Sequence, residues 1–143
     1  MPFDPENPVV KLCAEGMEAE FVADIPRAKE LFLKAWEIAS DDFEKFTAAH
    51  YVARNQADPN VSLYWNLLSL QHANQLDTDE AKSYYPSLHL NIGKSFEDLG
   101  NFKQARVHYT QAEQCSRYLP AGPYGDMIRH GIRSAKMRME KQV

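Results

Sequence analysis

Residues Leu88 to Tyr118 read LHLNIGKSFEDLGNFKQARVHYTQAEQCSRY. Apolar and small residues recur here every three or four positions, the period of a helix with one buried face. The spacing predicts a helix ending near Leu99, a tight turn at Gly100-Asn101 and a second helix from Phe102. A glycine is the natural stop for the first helix, and an asparagine is a good N-cap for the second. Gly93, Ala105 and Ala112 are small where two paired helices must touch, and the larger Phe96 and Tyr109 lie between them. The stretch is a helical hairpin, and the rest of the chain reads as variations on it.

Seventy-seven residues upstream the same sizes return: Gly16, Ala28, Phe32 and Ala35 match Gly93, Ala105, Tyr109 and Ala112. Recurrence at one fixed offset makes the first and fifth helices equivalent, and likewise the second and sixth. The first helix runs from Val9 through Leu12, Cys13, Gly16, Ala19 and Ala23. Asp24 caps a second helix with Pro26 in its first turn and Ala28, Leu31, Phe32, Ala35, Trp36 and Ala39 on one stripe. Asp41 with Glu44 forms a capping box for a third, through Phe43, Phe46, Ala49, Val52 and Ala53. After the Asn55–Asn60 break, a fourth helix over Val61–Gln75 places Leu63, Leu67, Leu70 and Ala73 on its apolar side. Asp77-Thr78-Asp79-Glu80 restarts the chain as a capped acidic turn, and Pro86 falls inside or at the true start of the fifth helix, with a kink or break expected there. Pro120, Gly122 and Pro123 end the sixth helix, and Gly125–Lys141 makes a basic seventh. No stretch alternates with a period of two, so the chain is all-α.

On Gly93, Phe96, Gly100, Phe102, Ala105, Tyr109 and Ala112 the chain resembles the tetratricopeptide repeat family, whose unit is 34 residues. His89 stands where that family carries an aromatic, Ala23 where it carries the turn glycine, and the middle unit is about nine residues too long. The Asn55–Asn60 turn and the Asp77–Tyr85 connector are both candidates for the extra length. The resemblance implies a right-handed helical-hairpin solenoid of about three units and about seven helices. After an extended lead-in at residues 1–8, one repeat domain would cover 9–141, with units 9–42, 43–85 and 86–119. A closing helix, 124–141, would then shield the last apolar edge with its charged face, and Gly131 would sit at the next unit's small position.

Composition narrows the function. With 143 residues, 44% hydrophobic and 25% charged, the chain has the make-up of a globular domain. No apolar run reaches the roughly 18 residues of a membrane helix. No export signal is visible at MPFDPENPVVKL, so a cytoplasmic location is expected. Cys13 and Cys115 match no metal or redox spacing and read as free, buried thiols. A net charge of −4 argues against general nucleic-acid binding. The charge is uneven: Met1–Glu44 holds eleven acids and four bases, and Asn101–Val143 three acids and eight bases. Head-to-tail self-association is one use of such asymmetry, and solvated helix faces are the simpler one.

What the resemblance implies for function is a partner segment held in a concave groove lined by the first helix of each pair. The groove positions fall on His50 and Arg54, on Asn91, Lys94 and Asp98, and on Arg129. Whether His50 or its neighbour Ala49 packs at the helix contact is left open by the pattern. Such a set suits a protein or peptide segment, an acidic one in particular, through charge-assisted hydrogen bonds. The carboxylate clamp of one subclass is missing, because its positions hold Cys13 and Met17. Tyr64 and Trp65 form an aromatic contact patch if exposed, or fill the core, the simpler role for Trp65. The five histidines have no metal-ligand spacing, there is no phosphate-binding glycine loop, and Glu97-Asp98 point different ways on a helix. The expectation is a binding scaffold without catalysis, metal or cofactor. The alternative is an intracellular sensor holding a small ligand or signalling peptide in the same groove.

Overall fold

The computed structural model describes residues 4–142. The first three residues of the expected lead-in lie outside the described residues. Among the described residues there are seven α-helices, two short 3-10 turns and no strand, so the chain is all-α. The helices are α1 Pro8–Phe21, α2 Ile25–Ile38, α3 Asp42–Val52, α4 Pro59–Ala73, α5 Tyr85–Asp98, α6 Phe102–Gln114 and α7 Pro123–Glu140. The chain forms two compact units, Met1–Leu76 and Asp77–Val143.

Side-chain caps set most of the starts. Asn7 accepts from the amides of Val9 and Val10, at 2.8 and 3.2 Å, so Pro8 belongs to α1 and not to the lead-in. Asp24, Asp58 and Asn101 cap α2, α4 and α6. At α3 the capping box is complete: Asp41 accepts from the Glu44 amide at 2.8 Å, and Glu44 accepts from the Asp41 amide at 3.4 Å. Hydrogen bonds from the Ser40 amide and hydroxyl, and from Asn7, help hold the Glu44 carboxyl below its ordinary pKa despite burial. Of the two places open for Pro86, inside the fifth helix or at its true start, the second is observed. Asp77–Glu80 leads into a 3-10 turn, Glu80–Tyr84, and α5 begins at Tyr85 with Pro86 in its first turn. A proline lacks the N–H that an interior position must donate, so the first turn accommodates it without a kink.

The two units repeat one hairpin. In the first, α1 packs on α2, and α3 packs on both and on α4. Its core gathers Val9, Cys13, Ala19, Ala28, Leu31, Phe32, Ala35, Ala48 and Val52. In the second, α5 packs on α6 and α7 covers both. Tyr109 with Met139, and Ala112 with Leu119, Ile128 and Ile132, make its core, with Leu90 against each group. The 77-residue correspondence reaches the atoms. A Cβ on Gly16 would lie 2.2 Å from the Phe32 ring, and one on Gly93 would lie 2.6 Å from the Tyr109 ring. Each glycine is therefore the seat of the aromatic from the paired helix.

The hairpin turns match as well. The Asp24 amide donates to Ala19 at 2.8 Å and the Asn101 amide to Phe96 at 2.9 Å, a six-to-one closure of the helix end. Gly100 has φ of +78° there, and Ala23 has φ of +63°. Ala23 therefore belongs to the turn and not to the apolar stripe of α1. The first hairpin starts again after 34 residues, from Pro8 to Asp42, and the second after 43, from Asp42 to Tyr85. Both suspected places carry the extra length: 53–58 link α3 to α4 where 22–24 serve the first hairpin, and 74–84 precede α5 where 39–41 precede α3.

Helix α4 departs from its expected face. Its buried residues are Asn66, Ser69 and Ala73, while Leu67 is exposed and Leu63 and Leu70 are half-buried. The Ser69 hydroxyl donates to the Phe46 carbonyl at 2.9 Å and Ser62 to the Ala53 carbonyl at 2.8 Å. Small polar residues let α4 approach α3 closely while their hydroxyls stay satisfied. Gly131 lies against the Leu90 side chain, whereas Gly125 makes the closer backbone approach: a Cβ there would meet the Pro120 carbonyl oxygen at 2.0 Å. Both cysteines are free thiols, and burial pushes the Cys13 thiol up to about 12. Cys115 is only half-buried.

Candidate binding surface

The sequence-derived groove residues fall into both units, two in the first and four in the second. In the first, Ala49 is fully buried and His50 half-buried, so Ala49 makes the helix contact. The His50 ring meets Tyr51 edge-on, with centroids 5.2 Å apart. Burial, and then the Arg54 charge one turn on, pull its pKa down to about 4, so the ring is neutral at pH 7. Arg54, expected on the third helix, lies instead in the turn beyond its end at Val52. It bonds Glu20 of α1 at 2.9 Å and lies over the Tyr51 ring at 5.5 Å. The Asn55 side chain donates to the same Glu20 at 2.6 Å.

In the second unit, Lys94 and Asp98 pair with each other at 2.5 Å across one turn of α5. Asn91 is half-buried one turn upstream, its carbonyl accepting from the Ser95 hydroxyl at 3.2 Å. Arg129 is drawn inward. It donates to the Leu119 carbonyl at 3.0 Å, to Pro120 at 3.3 Å and to Asp126 at 3.2 Å, fastening the loop before α7. All three groove cations thus already hold an internal partner.

The offset exposes features that the sequence reading passed over. Glu20 and Glu97 are 77 residues apart, and each ties the end of its helix to an arginine, Arg54 in the turn that follows α3 and Arg138 within α7. Arg138 grips Glu97 with two bonds, at 2.9 and 3.1 Å, and the Tyr109 hydroxyl donates to it at 2.6 Å. Burial would raise the Glu97 carboxyl, but the bonds from Arg138 and Tyr109 outweigh it and hold it below the ordinary value. Likewise Leu12 and Leu31 correspond to His89 and His108. Those two rings share one hydrogen bond, Nδ1 to Nδ1 at 3.0 Å, with Tyr85 stacked beyond His89 and Phe96 beyond His108. Burial, with the neighbouring His108, pulls His89 down to about 4, and burial lowers His108 too. Reading every 77-residue pair, and not only the small and aromatic ones, finds both.

The exposed ridge also differs between the two copies. Ala14, Met17 and Phe21 of α1 correspond to Asn91, Lys94 and Asp98 of α5. One copy presents apolar groups, Phe21 being 93% exposed, where the other presents polar ones. The aromatic patch divides. Trp65 packs edge-on against Trp36 with centroids 5.2 Å apart, at the margin of the core, and Tyr64 remains exposed. Among the described residues no three His, Cys, Asp or Glu side chains gather to hold a metal, and no helix is long and apolar enough to cross a membrane.

Compared with protein-family models, curated proteins and solved structures, the chain matches none.

Proposed function

We propose that the chain is a protein- or peptide-binding scaffold of tetratricopeptide type, without catalysis of its own, in which the first helices of the hairpins supply the contact residues. The observation that carries this reading is the hairpin repeated at 77 residues, down to the aromatic seated on a glycine and the six-to-one turn. Within each unit such packing holds the first-helix side chains on a rigid support, so little ordering entropy is lost there when a partner docks. Residues His50, Arg54, Asn91, Lys94 and Asp98 offer a neutral imidazole, two cations, an amide and a carboxylate.

Because Lys94 already holds Asp98, a partner carboxylate must take that place, and specificity comes from the exchange. Pull-down from the native cell tests this. Replacing Arg54 and Lys94 together with glutamine should remove partner recovery while the helical circular dichroism stays unchanged. Asp98→Asn, which releases Lys94, should raise recovery. Undiminished recovery by the double variant overturns the reading. The sensor alternative predicts instead a melting temperature raised by cell metabolites, with no protein recovered.

A further inference from the structure

We propose that the chain binds a second copy of itself, with the outer stripe of α7 on one copy docking against the outer stripe of α1 on the other. Two unpartnered faces carry the inference. On α7, Tyr124, Met127, His130, Ser134 and Met137 follow one another at three- and four-residue steps, so they form a single helical face. Met127 and Met137 are 60% and 62% exposed. A helix that merely closed a repeat array would carry a polar outer face. This one exposes Tyr124, Met127 and Met137 on that face instead. On α1, Ala14, Met17 and Phe21 follow the same steps, and Val22 continues the patch into the turn.

The charges beside the stripes are opposite and unspent. Arg133 flanks the α7 stripe and Lys141 caps its C-terminal end, and neither forms an ion pair among the described residues, while Arg129, Lys136 and Arg138 are all committed internally. Glu15 and Glu18 on α1 are exposed and also form no ion pair among the described residues. The segments that carry the two stripes have the opposite excesses already noted, acidic for Met1–Glu44 and basic for Asn101–Val143. Apolar side chains at helical spacing, each row edged by the other's counter-charge, fit one helix of a second copy and set its register. The contact is heterologous, because the two faces are different surfaces. It is also small, so association depends on concentration and weakens with salt.

The test uses the full chain in sedimentation equilibrium at low salt. Wild type should associate, and high salt should reverse it. Met17→Asn with Phe21→Asn, or Met127→Asn with Met137→Asn, should each weaken association by about tenfold or more. All four positions are exposed, so unchanged circular dichroism and melting are expected of both variants. Mixing the two variants should restore a dimer, because each contributes the face that the other lacks. A wild type that stays monomeric at its solubility limit overturns the proposal. So does either variant associating as before, which would mean a contact between like faces, or a mixture that remains monomeric. None of these positions is used in the groove test, so the two readings fail separately.

Discussion

Ala23 is the residue whose structure its identity conceals. A non-glycine residue at φ of +63° carries a steric cost from its Cβ, and the equivalent Gly100 at +78° carries none. Ala23→Gly should therefore raise stability in urea unfolding, and Gly100→Ala should lower it, each by about 1 kcal/mol. Nothing lies within 4 Å of a Cβ built on Gly100, so only the backbone conformation is tested there. An unchanged midpoint in both would mean that the turn relaxes. The packing residues Gly93, Ala105 and Ala112 were legible in the sequence because size alone fixes them: a helix contact admits no larger group. The turn at Ala23 is legible only through the repeat, as the match of Gly100, because the preference for glycine in such a turn is worth only about 1 kcal/mol and the surrounding hairpin overrides it.

Helix α4 shows the limit of pattern reading for a whole element. With leucine, valine or tyrosine on every side, its periodicity could not tell which face lies inside, and the leucines were assigned to the core. The buried face is made of small polar residues, chosen for close approach and for the hydroxyl bonds to Phe46 and Ala53. Leu67→Gln should consequently leave stability within about 0.5 kcal/mol of wild type. Ser69→Leu should cost about 1–3 kcal/mol through overpacking and the lost hydrogen bond. Thermal unfolding of the pair decides it; the reverse order would place Leu67 inside. By contrast α2, α3 and α6 were readable, because their caps and stripes agree with each other. The candidate surface was legible in part. Asn91, Lys94 and Asp98 lie on α5, and the Lys94–Asp98 pair is a local one at four-residue spacing, whereas Arg54 falls in the turn beyond α3 and its partner, Glu20, comes from α1, which a local pattern cannot bring together.

At the scale of the molecule, acid acts through a few buried groups. His50 and His89 have pKa values near 4 in the fold, against about 6.5 in an unfolded chain, and His108 is lowered as well. Above pH 6.5 they are neutral in both states, and stability does not depend on them. From 6.5 down to 4 the unfolded chain takes up protons that the folded one refuses, so stability falls. Glu44 and Glu97 add a second loss lower down. Their stabilisation is present above the ordinary carboxyl value and disappears as pH falls through their lowered values. Melting temperature should thus be level above pH 6.5 and decline below it. Replacing His89 and His108 together with leucine, the pair found at Leu12 and Leu31, should make that decline shallower. An equal slope in the variant would remove the histidine pair from the account. The edge-on contact of Trp36 with Trp65 bears on how such curves are recorded. These are the chain's two tryptophans, and both lie in the unit that ends at Leu76. Indole fluorescence therefore reports the melting of that unit alone, whereas far-ultraviolet dichroism sums the helices of both. Superposing the two signals measures whether the repeats unfold as one cooperative block or one after the other.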